Sequence, residues 1–136
     1  MLLRNIFMPI ITILLGAAFT AQASVDAQRV PIADISIDEQ LSRPESPVLE
    51  AKLLLPNGCF DPLLQREIAQ PENNVVTLES LAKIENRACT MAVIPTDVYF
   101  DLTGLQPGTY KIVDRYDRSK IGSLYVDETG NHKIIQ

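Results

Sequence analysis

The stretch VLEAKLLLP, residues 48–56, constrains the fold more than any other. Leu49, Ala51, Leu53 and Leu55 fall on one side, Glu50 and Lys52 on the other. A period of two belongs to a strand with one buried face and one wet face. The same period recurs toward the C-terminus. TDVYFDL, 96–102, sends Val98, Phe100 and Leu102 one way and Tyr99 and Asp101 the other. TYKIVDRYD, 109–117, sets Tyr110 and Ile112 against Lys111 and predicts a strand running to about Tyr116. RSKIGSLYVD, 118–127, offers Ile121, Leu124 and Val126, with Gly122 marking a bulge. ETGN is a turn and HKII a short last strand. Near the start, VPIADISID, 30–38, has strand propensity, and Pro31 restricts it to an edge or a strand start. Ser24 to Arg29 reads as a frayed end. Short strands punctuated by Gly, Pro and Asn at regular intervals predict an all-β domain, a sandwich or a partly open barrel.

Residues 61–88 carry two signals at once. PLLQREIA, 62–69, suits a short helix or an irregular strand. In NNVVTLESLAKI, a strand would align Val76, Leu78, Ala82 and Ile84, with Ser80 breaking the row. A helix would be capped by Thr77, would pair Glu79 with Lys83, and would put Leu78, Leu81, Ala82 and Glu85 on one face. Intrinsic propensity favours the helix; the neighbouring strands, which need partners, favour the sheet. The expectation is a strand over 74–79 with 80–87 left open, and CTMAVIP, 89–95, as a strand or the end of that helix.

One corner is written more sharply. In LTGLQPGTYKIV, 102–113, Pro107 and Gly108 stiffen a turn between two strands. Leu105 is placed to plug the end of the core, and Tyr110 to bury its ring and return its hydroxyl to a turn backbone group. The run Leu105, Pro107, Gly108, Tyr110 resembles the tyrosine corner of immunoglobulin-like and fibronectin-type-III-like sandwiches. The resemblance covers roughly residues 97–127 and implies an antiparallel Greek-key β-sandwich of about seven strands, with at most one short helix between 61 and 88. It implies nothing about function. The chain departs from antibody domains in having no Trp and no Cys two residues beyond Tyr110.

The first segment stands outside this pattern. Arg4 precedes the apolar run IFMPIITILLGAAF, and Ala21 and Ala23 follow at the small positions of an A-x-A exit, which is the form of a secretory signal peptide. The apolar run is shorter than the ~20 residues of a membrane-spanning helix. Cleavage after Ala23 would leave a single domain, 24–136, in the periplasm or outside the cell. Without Arg4 it carries 11 basic and 17 acidic residues, net −6. That charge argues against nucleic acid as a partner, because phosphate contacts need clustered Lys and Arg. Two cysteines in an exported chain, Cys59 and Cys89, predict a disulfide. It would staple a loop or strand end, since Cys59 follows the PNG turn.

Candidate chemistry is sparse. Nucleophilic catalysis wants a base beside the nucleophile, and the single histidine, His132, sits in a terminal hairpin. Asp97 and Asp101 lie roughly 13 Å apart along a strand, too far to share a site. Asp114 and Asp117, flanked by Arg115 and Arg118 in DRYDR, read as a solvated strand end of mixed charge. DRYD and DETGN lack the ligand order of a dedicated calcium loop, and Met91 with His132 make a thin copper set. No catalytic, cofactor or metal residues are assigned. The stronger hint is a contact patch of Tyr99, Arg115, Tyr116, Arg118 and Tyr125, since exposed Tyr and Arg mark recognition surfaces. The expected function is a non-catalytic binding module of the cell envelope that recognises a protein or an envelope polymer. The alternative is a small metal-handling protein or hydrolase on the same scaffold, and a third possibility is a structural part completed by a partner's strand at the edge 30–38.

Overall fold

A computed structural model describes residues 26–135 of the chain. The segment read as a signal peptide, 1–23, lies outside the described residues. The alternating stretches form strands, and so do the ambiguous ones. In order they are β1 (Ala27–Arg29), β2 (Ile32–Ile37), β3 (Val48–Leu55), β4 (Phe60–Gln70), β5 (Val75–Ile84), β6 (Ile94–Asp101), β7 (Gly108–Asp114), β8 (Lys120–Val126) and β9 (His132–Ile135). They make a six-stranded and a three-stranded sheet. The smaller sheet has the order β2-β3-β6. In the larger, β5 pairs β4 along one flank, and β7 and β1 in turn along the other, with β8 and β9 following β7.

The core lies between the sheets. Leu49, Ala51, Leu53 and Leu55 of β3 point into it, as do Val98 and Phe100 of β6, Tyr110 and Ile112 of β7, and Leu124 of β8. Gly122 matters because β8 passes close to β2 there. A Cβ at Gly122 would come within 3.1 Å of Ile35 Cδ1. The bulge foreseen beside it falls at Ile121, skipped between the pairs Ile112↔Gly122 and Val113↔Lys120.

Several expectations are corrected. There are nine strands among the described residues rather than about seven, and no α-helix in 61–88. That region is β4, a single 3-10 turn at Pro71–Asn73, and β5. Helix propensity in TLESLAKI loses to tertiary pairing, because β5 is central and has strand neighbours on both flanks. The Val76, Leu78, Ala82 row is buried, Ser80 is buried with it, and Ile84 at the strand end is exposed. The sheets are not wholly antiparallel. β6 belongs to the other sheet, so β7 returns beside β5 in the same direction and pairs in parallel. The end read as frayed forms β1 at Ala27–Arg29, anchored on β5. CTMAVIP is strand only from Ile94, and β7 stops at Asp114 rather than near Tyr116.

The remaining details are local. Tyr110 is buried and its hydroxyl donates to the Gln106 carbonyl at 2.8 Å, while Leu105 packs against the core edge. Gly108 adopts φ +151°, costly for a residue with a Cβ. Cys59 and Cys89 are bonded, with Cα atoms 5.3 Å apart, and join the β3–β4 turn to the β5–β6 loop. No helix among the described residues is long and apolar enough to cross a membrane.

Candidate functional site

The outer row of β5 holds the most constructed feature of the surface. Val76, Leu78, Ser80 and Ala82 point inward, so Thr77, Glu79, Leu81 and Lys83 point out. An outward glutamate would ordinarily be wet. Glu79 is instead only 5 % exposed, because an arginine closes over it from each side. Arg29 of β1 donates from Nε to Glu79 Oε1 at 2.7 Å. Arg66, opposite Glu79 on β4, reaches Oε2 with Nη2 at 2.8 Å. The hydrogen bond from Arg29 holds the Glu79 carboxyl below its usual range, and the positive charge of Arg66 adds to this, against the opposing effect of burial.

The turn that follows β7 carries a third arginine. The parallel register ends at Leu78↔Asp114, and the next N–H, that of Arg115, donates to the Leu78 carbonyl at 2.8 Å. Arg115 itself is exposed, at the start of the β7–β8 turn. Tyr116 follows in the β7–β8 turn and is 55 % exposed. A shallow basin of about 540 Å³ opens here, bounded by Arg29, Arg66, Glu79, Leu81 and Tyr116. Each guanidinium carries five N–H donors in a fixed fork. Glu79 engages one donor nitrogen on each of Arg29 and Arg66, and about half of both side chains stays exposed. The arrangement is a rigid, hydrogen-bond-donating, net positive surface beside an aromatic ring.

Asp114 supports it from below, which corrects its reading as a solvated strand end. It is 2 % exposed. Oδ2 accepts from the Ile32 N–H and Oδ1 from the Tyr116 N–H, both at 2.9 Å. One carboxylate thus ties the start of β2 to the turn that presents Tyr116. Burial pushes its pKa up, and the two backbone donors pull against that. Asp117 accepts from the Ser119 N–H at 2.8 Å, and its charge adds to the upward push on Asp114.

The expected patch does not form one surface. Tyr116, Arg115 and Arg118 share the β7–β8 turn, where Arg118 takes a left-handed φ of 62°. Tyr125 is exposed on the outer face of the larger sheet, with Lys133 5.5 Å from its ring centroid. Tyr99 is exposed on the opposite outer face, that of the smaller sheet. Its surroundings are acidic: the charge of Glu50 pushes the phenol pKa up, with burial, Asp38 and Asp97 adding to it. Lys52 meets Asp97 there at 4.0 Å. Arg29, Arg66 and Glu79 are absent from the expected patch, and no local signal marks them, since Arg29 and Glu79 are 50 residues apart.

A hollow of about 260 Å³ lies at one end of the sandwich, between the tyrosine corner and the β8–β9 turn. Its Asp127 already accepts from Thr129 and from Asn131, which fixes DETGN as a turn. His132 lies at that end against the Gly130 carbonyl, whereas Met91 sits in the disulfide loop at the other. Among the described residues no group of three or more His, Cys, Asp or Glu side chains is placed to hold a metal. No protein family, curated protein or solved structure matches the chain.

Proposed function

We propose that this chain is an exported, non-catalytic binding module of the cell envelope, and that its partner docks on the outer face of the larger sheet at the Tyr116 basin. The observation that carries this reading is the arginine clamp. Surface ion pairs ordinarily leave long side chains mobile and contribute little. Here one glutamate is enclosed by guanidinium groups from two different strands, which holds both groups in place, with their remaining donors open, in advance of any ligand. Preorganised Arg and Tyr are what a recognition surface needs, because less entropy is lost on binding. The signal-like N-terminus and the disulfide support an exported location, periplasmic or secreted. The corner hydrogen bond and the two packed sheets support an immunoglobulin-like Greek-key architecture for the domain.

The test is capture from the native envelope fraction after mild crosslinking, with the protein and its Tyr116→Ala and Arg115→Ala variants side by side. A reproducible partner that is lost from both variants is the expected result. Equal capture by all three would remove the basin from the reading.

A further inference from the structure

β4 presents a free main-chain edge beside this basin. Phe60–Gln70 bonds to β5 along one flank and pairs with no strand on the other, among the described residues. Such a flank presents unpaired N–H and C=O groups in a row. The bulge between Pro62 and Leu64 leaves a regular stretch from Leu64 to Gln70. No residue of that stretch is fully buried, and Leu64 is 45 % exposed. Edge strands are usually guarded by outward charge. Here Arg66 is drawn onto Glu79 with half of its side chain still exposed, and the other charge, Glu67, stands on the opposite face. The neighbours of Arg66 on the outer row are Leu64 and Ile68, so the edge is apolar on either side of one tethered cation. Beneath it, Gln65 Nε2 is shielded from solvent with no acceptor in the protein.

We propose that β4 is an acceptor edge for an extended acidic segment of a partner protein, which adds as a further strand alongside Leu64–Gln70. This rests on the binding-module reading and names the kind of ligand. Strand addition supplies main-chain hydrogen bonds, and the alternating side chains supply specificity. Cross-strand pairing fixes the pattern. The residue opposite Arg66 is acidic, because half of the Arg66 side chain stays exposed beyond its bond to Glu79, and Arg29 shares that one carboxylate. The residues two away on either side are apolar, to cover Leu64 and Ile68. The intervening residues are polar, facing Gln65 and Glu67, and one of them brings Gln65 an acceptor. A protein strand is favoured over an acidic polymer because a polymer without peptide groups leaves the β4 edge unpaired and has no reason for the apolar flanks.

The probe is a short blocked peptide containing valine-threonine-glutamate-threonine-valine, with a glutamate-to-lysine control, read by amide hydrogen exchange and by affinity. Alternate amides of Leu64–Gln70 are expected to gain protection with the glutamate peptide. The lysine control, and the variants Ile68→Lys and Arg66→Glu, should bind at least about tenfold more weakly. Ile68→Lys changes a side chain that is not fully buried, so it keeps the test valid if Arg66→Glu disturbs the clamp. Peptide binding that perturbs Tyr116 while leaving β4 exchange unchanged would overturn the edge assignment and leave the module reading standing. Concentration-dependent protection of β4 without peptide would show a second copy on the edge and overturn the foreign strand. No binding of the peptide, together with capture unaffected by Tyr116→Ala, would remove both readings.

Discussion

Tyr110 and Asp114 are four residues apart on β7, and each turns a polar group toward the interior. Tyr110→Phe keeps the ring and leaves the Gln106 carbonyl without its donor. Urea unfolding should show a loss of about 1–2 kcal/mol; an unchanged midpoint would mean the hydroxyl does not brace the corner. Asp114→Ala strands two backbone donors, the buried one of Ile32 and the part-buried one of Tyr116. The expected cost is about 2–4 kcal/mol, and loss of the β2 anchor should appear as faster exchange at the Ile32 amide. Ser80 behaves oppositely. Its hydroxyl is buried with no partner, directly opposite Gln65, whose Nε2 is likewise unpaired. Ser80→Ala removes a desolvated polar atom, so stability should be unchanged or rise by up to about 1 kcal/mol. A clear loss would show that the hydroxyl has a partner in solution. The corner was legible from the sequence because Leu105, Pro107, Gly108 and Tyr110 act within six residues. Asp114 was not, because the strand-end charges around it gave no sign that Ile32, 82 residues away, would cover it.

Strands that alternate cleanly, β3, β6, β7 and β8, could be read from the residues alone, since one period decides one buried face. β4 could not, and β5 only in part: the strand expected over 74–79 is there, and the stretch left open continues it to Ile84. Their Leu, Glu, Ala and Lys content fits a helix, and only the flanking strands decide against it. The arginine clamp was hidden for the same reason: it exists only once β1, β5 and β4 lie side by side. The disulfide belongs to this scale too. It locks the β3–β4 turn to the β5–β6 loop, assisted by Arg87, which bonds Glu85 and the Gly58 carbonyl, and by Gly58 N–H to Thr90 O. Closing a span of 30 residues should contribute about 3–4 kcal/mol through the unfolded chain. Reduction should therefore lower the unfolding midpoint strongly. It should speed exchange of the slowest β7 and β8 amides, which open only on global unfolding, by the same free energy, while their pairing persists under native conditions. Simultaneous loss of the whole sheet at the lowest reductant dose would instead make the bond a prerequisite of the fold.

Charge is distributed unevenly over the whole molecule. Arg29, Arg66 and Arg115 gather on the larger sheet, while Glu50, Asp97 and Tyr99 face out from the smaller one, and the titration behaviour follows from the local partners. Glu79, Glu85, Asp101, Asp117 and Asp127 all have lowered pKa values, Glu85 to about 2, chiefly through the hydrogen bond from Lys83 and with that from Arg87 adding to it. A carboxylate that is more acidic folded than unfolded contributes stability above its unfolded pKa and loses it as pH falls through the folded one. These five therefore weaken the fold on strong acidification, from about pH 4.5 downward. Asp114 runs the other way. Its raised pKa means the folded state holds that proton more tightly than the unfolded chain, so its contribution is complete below its unfolded value and is lost as pH rises through the folded one. The two tendencies meet, and stability should pass through a maximum in mildly acidic solution before falling toward pH 2. Urea midpoints measured across that range check it. Asp114→Asn should remove the gain on the neutral side of the maximum while the acid-side fall persists, whereas Glu79→Gln should flatten part of the acid-side fall. A profile that rises monotonically down to pH 2 would mean that Asp114 alone governs the response and that the clamped and turn carboxylates contribute nothing to the fold.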